Sequence, residues 1–405
     1  MTSVPQPTVP ATSTPASKPR LQLEHVDGIR GLLTVAILLA HVRTTLTYIP
    51  LKAMHTSLFA ASTLWMWPAF FSVGLFVAMS GYVLMLPVAR SSNGWYRDGV
   101  LDYLRRRARR MLPPYYLALV IGLIWARYER VHEAVMYPFA RSAPSIISHV
   151  TLVHNLLDRY RFSIDAPNWT VSSEWQLYVL FPLVLLPIWR RFGVLALLGS
   201  SAILSALTFA VGPDAVHFHG WFIFVFACGM AGAAIQFYNR DLESKLRAVM
   251  PWGRIAGALF LLFFVALTVD LTVHERLRYL YIPDWKRFCI YETLVGMGCV
   301  ALIIRCSDTT RTNYVSRLTQ RVLNFKGFVF IGTYSYSHYL VHYFILMSLR
   351  WYTVHLGFTD AGVVCFMYGV AIPTSLVCGY LYYQMAERWF LPSHIQAKKA
   401  VPISP

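Results

Sequence analysis

The feature that most constrains this chain is a succession of ten long apolar stretches, at 29–48, 64–88, 111–127, 171–189, 193–211, 221–237, 254–273, 288–304, 328–349 and 362–385. Each is near the ~20 residues an α-helix needs to cross the ~30 Å hydrocarbon core of a bilayer. The surrounding sequence holds too little polar surface to hide them in water. The chain is 56% hydrophobic and only 14% charged, against roughly a quarter charged in soluble domains. A transmembrane barrel would alternate apolar and polar residues with period two, and that alternation is absent. The expectation is an all-α polytopic membrane bundle of about ten transmembrane helices.

An even count puts both termini on one side, and charge says which. About two thirds of the 36 Lys and Arg fall in 1–28, 89–110, 190–192, 238–254, 305–327 and the C-terminal tail, the pattern of cytoplasmic segments. That predicts N-in and C-in in the cell membrane. It also explains the net charge of +17 without a nucleic acid partner. Residues 1–22, with "MTSVPQPTVPATSTPASKPR", are too rich in Pro, Ser and Thr to bury a core and read as a disordered cytoplasmic tail. Residues 23–392 form the membrane domain, and 393–405 a second cytoplasmic tail. The outer segment near 128–170 contains "SIISHVTLVHNLLDRY", which reads as an interfacial helix. The six cysteines show no C-x-x-C spacing, so neither a disulfide framework nor a metal site is expected.

Ionisable residues are costly inside a bilayer and tend to mark function there. In "EHVDGIRGLLTVAILLAHVR" (Glu24–Arg43), Arg30 and His41 are eleven residues apart. That is three turns plus about 20°, so both share one helix face ~16 Å apart along the axis. An Arg at a cytoplasmic mouth suits a phosphate, and a His deeper in suits a general base. In "RDGVLDYLRRRARRMLPPYY", Arg105, Arg106, Arg107, Arg109 and Arg110 exceed what orientation requires. Such a cluster suits either a polyphosphate such as the 3′-phospho-ADP part of coenzyme A or anionic lipid headgroups. Pro113 and Pro114 would fit a first helical turn.

"PNWTVSSEWQLYVLFP" (Pro167–Pro182) enters the fourth helix from outside, with Ser172 or Ser173 as a cap and Glu174 either favouring the helix N-terminus or orienting a His or an acceptor hydroxyl. In "FIGTYSYSHYLVHYFILM", Ser335, His338, Tyr339 and His342 recur every three or four residues and line one polar face. No Walker loop, G-x-S-x-G or H-E-x-x-H motif occurs.

Six of these stretches, in order, resemble the integral-membrane acyltransferase family 3. "VDGIRGLLTVAILLAH" is similar to the family's Arg–ten residues–His opening, and "FSVGLFVAMSGYVLM" to its second helix ending in Ser80, Gly81 and Tyr82. "RRRARRMLPPYYLAL" resembles its R-x-x-R-x-x-P-x-Y junction, "WTVSSEWQLYVLFP" its S-x-E-x-x-x-Y-x-x-x-P element, "GTYSYSHYLVHYFIL" its G-x-x-S-Y-x-x-Y-L-x-H element, and "AERWFLP" its closing Glu. Two positions depart from the pattern. Ser173 replaces the usual Val, and Trp175 the usual second acidic residue, so Glu174 stands alone.

The resemblance implies an O-acyltransferase moving an acyl group, acetyl by expectation, from acyl-CoA to a sugar hydroxyl of an envelope polysaccharide, glycolipid or glycosylated natural product. On that reading His41, Glu174 and His342 are catalytic. Arg30, Arg106, Arg107, Arg109 and Arg110 bind acyl-CoA, and Asp27, Ser335, Tyr336, Tyr339 and Tyr178 are further candidates. Acyl-CoA is a co-substrate, and no bound cofactor or metal is expected. Some members carry a C-terminal SGNH-type hydrolase domain outside the membrane. Without one here, transfer either finishes within the membrane domain or needs a separate extracytoplasmic partner. The rival readings are a transporter or flippase of a glycan, and a scaffold whose polar residues only hold helices together.

Overall fold

The computed structural model describes residues 24–47, 66, 69, 71–96, 99–129, 142–210, 219–276, 284–308 and 314–391. The tails expected at 1–22 and 393–405 and the start of the second apolar stretch lie outside that set. Every regular element among the described residues is helical. In chain order they are α1 (Glu24–Thr47), α2 (Ser72–Ala89), α3 (Gly99–Glu129), α4 (Ala143–Val150), α5 (Trp169–Leu180), α6 (Leu186–Phe192), α7 (Val194–Ala210) and α8 (Phe222–Phe237). Then follow α9 (Asp241–Val249), α10 (Trp252–Arg276), α11 (Asp284–Ser307), α12 (Tyr314–Leu323), α13 (Lys326–Thr333), α14 (Ser335–His355), α15 (Asp360–Phe366) and α16 (Ile372–Tyr382).

Each of the ten expected stretches falls on helix over the residues described. By length and composition, six helical stretches among the described residues are able to cross a membrane, fewer than the ten expected: Glu24–Leu46, Ser72–Ala89, Ala166–Phe192, Trp252–Asp270, Lys286–Ser307 and Asp360–Phe390. A seventh joins them if α8 and α9, which meet at 89°, count as one span. The apolar helix α7 is shorter, at 17 residues.

Four local details differ from expectation. The helix carrying the arginines is 31 residues long, so Pro113 and Pro114 sit mid-helix, not in a first turn. Their missing N–H groups break the backbone ladder there, and neighbouring hydroxyls donate into the region: Tyr336 to the Met111 carbonyl at 3.0 Å and Tyr382 to the Pro114 carbonyl at 2.5 Å. The fourth stretch starts at Trp169, and its Asn168 N-cap makes no side-chain bond. Ser172 and Ser173 therefore lie inside the helix and do not cap it. A π-helical turn at Phe181–Leu185 links α5 to α6, where Pro182 and Pro187 widen the ladder. The stretch 328–349 is interrupted at Tyr334 (φ −120°, ψ 16°), which separates α13 from α14.

The bundle has a centre and a periphery. In α2 67% of the spanning window is buried, in α10 only 17%. Leu261, Leu262, Phe264 and Val265 of α10 face outward, the arrangement lipid contact requires. Central helices approach closely where glycine permits. A Cβ on Gly31 would collide with the Phe328 carbonyl of α13, and one on Gly332 with the Asp27 carbonyl of α1. This contact fixes the start of α1, and with it Arg30, against the α13–α14 break.

Candidate active site

A cavity of about 150 Å³ opens among α1, α2, α3, α5, α14 and the segment that follows α16. At one end it is lined by Asp27, Arg30, Arg107, Arg110 and Glu387. Arg30 donates to Asp27 at 3.3 Å, and Arg110 stands 3.9 Å from the buried Glu387, which also accepts a 2.7 Å bond from the Ser337 hydroxyl. The Arg107 guanidinium lies over the Tyr103 and Tyr178 rings at 5.8 and 5.9 Å. Three cations thus face two carboxylates, leaving this end positive.

Helical phase decides which arginines take part. Arg107 and Arg110 are one turn apart and share a face. Arg105, Arg106 and Arg109 are exposed on the other faces of α3, and Arg105 pairs with Asp102 at 3.5 Å. The expected set is therefore halved: Arg106 and Arg109 do not line the cavity.

The opposite end is lined by Thr170, His338 and Tyr339. Thr170 donates to the Tyr339 hydroxyl at 2.8 Å, and Tyr339 to the Pro167 carbonyl at 3.0 Å. Tyr178 and Thr170 are eight residues apart on α5, so the arginine end and the hydroxyl end lie ~12 Å apart. Midway, the Glu174 carboxylate accepts hydrogen bonds from Ser80 and from Tyr178, each at 2.5 Å. Ser335 and Tyr336 also line the wall, where the α13–α14 break leaves irregular backbone beside a cavity, the place membrane proteins tolerate it.

His41 and His342 come together just behind this wall. Their rings meet edge to face at 5.0 Å, and His342 stacks on His338 at 5.3 Å. A row of three imidazoles thus runs from the lining residue His338 to His41. His342 Nδ1 lies 2.8 Å from the Tyr339 carbonyl. A carbonyl only accepts, so Nδ1 carries the hydrogen and Nε2 of the neutral ring keeps its lone pair. His342 Nε2 and His41 Nδ1 are both buried without a hydrogen-bond partner among the described residues. Two ring nitrogens in adjacent histidines are thus left available as proton acceptors or donors.

A second polar layer supports α5 from outside. His149 and His154 stack at 3.8 Å, and the His154 ring meets the Ser172 hydroxyl at 3.0 Å. Asn155 and Gln176 exchange amide bonds at 3.1 and 2.8 Å, and Asn155 also donates to Ser173 at 3.1 Å. Ser173, one of the two departures beside Glu174, therefore has a partner of its own. This segment turns Ile147, Val150, Val153 and Leu156 outward, as an interfacial segment would. Burial lowers the His149 pKa to about 4 and raises that of Asp165, whose carboxyl is buried without a hydrogen-bond partner among the described residues. His219 stacks on Trp169 at 4.1 Å. Among the described residues, no group of three or more His, Cys, Asp or Glu is placed to hold a metal ion.

His338, Thr170 and Ser80 were absent from the expected site. Ser80 had a signal in the Ser-Gly-Tyr end of its helix, and His338 one in its polar face. Thr170 had none. Glu387 matched only as the closing Glu, and its meeting with Arg110 spans most of the chain.

An acyltransferase-domain family model matches residues 23–383. The chain belongs to acyltransferase family 3. It is a multi-pass membrane protein. Relatives include the peptidoglycan O-acetyltransferase OatA of Listeria monocytogenes, 23% identical over 352 residues that cover 81% of this chain and 50% of that protein. The O-acetyltransferase OatA of Staphylococcus aureus is 20% identical over 349 residues, covering 82% of this chain and 52% of that protein. The chain thus spans about half the length of these curated relatives. No solved structure matches it.

Proposed function

We propose that this protein is a membrane O-acetyltransferase that moves acetyl from acetyl-CoA to a sugar hydroxyl of a cell-envelope glycan. The observation that carries the reading is one cavity with Arg30, Arg107 and Arg110 at one end and His338, Tyr339 and Thr170 at the other. The relatives' names, as O-acetyltransferases and in one case a peptidoglycan O-acetyltransferase, support acetyl as the group and peptidoglycan as the acceptor to test first.

With N-in and C-in topology, the arginine end faces the cytoplasm, where acyl-CoA is made. Its phosphates bind Arg30, Arg107 and Arg110 through charge-assisted hydrogen bonds. The pantetheine arm extends toward Glu174. The acceptor arrives from the His41 side, and His41 takes the hydroxyl proton as the oxygen attacks, a step worth ~10²–10⁴-fold. His342 holds His41 in place. The catalytic unit on this reading is the membrane domain at 23–392.

The test is the purified protein in nanodiscs with radiolabelled acetyl-CoA and peptidoglycan fragments. Wild type transfers label, and His41→Ala binds acetyl-CoA yet transfers none. Wild-type turnover by His41→Ala would remove His41 from the mechanism.

A further inference from the structure

Hydroxyls buried in membrane helices usually bond back to their own helix. Three threonines of α1 do so: Thr34 to the Arg30 carbonyl, Thr44 to Ala40 and Thr45 to His41. Ser80 does not. Its hydroxyl leaves α2 and donates across the cavity to Glu174 at 2.5 Å. Ser80 and Glu174 both line the cavity between its arginine and hydroxyl ends.

Glu174 is placed as a base. Its carboxylate has two hydroxyl donors, Ser80 and Tyr178, and among the described residues it forms no ion pair: Arg30 and Arg110 pair with Asp27 and Glu387, and Arg107 packs over the Tyr178 ring at 5.9 Å. The two donors differ in access. Tyr178 is buried, whereas Ser80 is half-open to the cavity. A hydroxyl within hydrogen-bond reach of a base, beside the path of an acyl donor, is the arrangement of covalent acyl transfer.

We propose that Ser80 is the acyl-accepting nucleophile, with Glu174 as its base, so that transfer runs through an O-acetyl-Ser80 intermediate. This rests on the acetyltransferase reading above. In the first half, Glu174 takes the Ser80 proton, Oγ attacks the thioester carbonyl, the C–O bond forms and the C–S bond breaks. The sulfur leaves as a thiolate toward the arginines and is protonated in water. In the second half, the acceptor hydroxyl gives its proton to His41, which releases it to solvent. Its oxygen forms the new ester, the bond from acetyl carbon to Oγ breaks, and Glu174 returns the proton to Ser80.

The experiment uses the full chain in nanodiscs with acetyl-CoA alone, then with peptidoglycan fragments. Rapid quench without acceptor should give a burst of one thiol per chain, and peptide mass spectrometry should find one acetyl on Ser80. Ser80→Ala should lose both, and Glu174→Gln should slow the burst at least about a hundredfold. Ser80→Cys guards against misfolding, because its label would be a thioester cleaved by neutral hydroxylamine. Acetyl on Tyr178 or a histidine, thiol release only when acceptor is present, or wild-type turnover by Ser80→Ala overturns the Ser80 assignment and leaves the acetyltransferase reading standing. A wild type that neither binds nor turns over acetyl-CoA overturns both.

Discussion

Replacing Arg107 with alanine should weaken coenzyme A binding far more than removing Arg106 and Arg109 together. The three residues lie within one turn of α3, yet only Arg107 faces the cavity, and Arg106 and Arg109 are exposed. A hydrogen bond to a charged group contributes ~1.5–3 kcal/mol, which is roughly 10- to 150-fold in Kd. Exposed cations acting at a distance contribute on the order of 0.5 kcal/mol, about twofold. Arg110 is the poorer reporter. It stands 3.9 Å from Glu387, which is 1% exposed while Arg110 is 32% exposed, so its removal leaves a buried carboxylate without its cation, which costs folding stability. Loss of binding in Arg110→Ala would therefore mix affinity with damage to the fold. The assay is equilibrium binding of coenzyme A to the protein in nanodiscs at several salt concentrations. Screening at high salt should erase what remains of the Arg106/Arg109 effect and leave most of the Arg107 effect. If Arg106→Ala/Arg109→Ala weakens binding as much as Arg107→Ala, the face assignment is wrong and the cluster acts as a diffuse basic surface.

Three further outcomes follow from the same geometry. Gly31→Ala puts a Cβ onto the Phe328 carbonyl, so α1 and α13 must separate at a cost of ~1–3 kcal/mol, read as a lower unfolding temperature; an unchanged midpoint would refute the close contact. Asp165 is held above the ordinary carboxyl range by burial, so its stabilising protonated form is lost as pH rises through the folded value. Asp165→Asn should therefore unfold at a higher temperature than wild type at alkaline pH, with the gap closing in acid. His149 has the opposite sign: its pKa falls from 6.5 to about 4, so its contribution is present above 6.5 and lost as pH falls toward 4, and His149→Gln should flatten the stability profile in that window.

Much of this protein was legible in one dimension because a bilayer leaves few options. Backbone polar groups must be satisfied within each segment, so long apolar runs mean helices, and charged residues inside them stand out. That logic located Arg30, His41, Glu174 and the Ser335–His342 face, and ordered motifs named the family. Helical phase, however, could not separate Arg107 and Arg110 from Arg106 and Arg109, because the phase of α3 against its neighbours is set by packing. Nor could it show that the 328–349 stretch breaks at Tyr334, where Ser335 bonds the Gly332 carbonyl and α1 lies close.

The sequence alone determined a helical membrane protein of the acyltransferase family, since hydrophobic length and motif order are properties of the chain read locally. Tertiary structure decided the site. The bond from Ser80 to Glu174, the pairing of Arg110 with Glu387 and the 5.0 Å contact of His41 with His342 join residues remote in sequence. They depend on how closely glycine faces let helices approach and on how each helix is turned about its axis. Those quantities emerge only when all the helices pack at once.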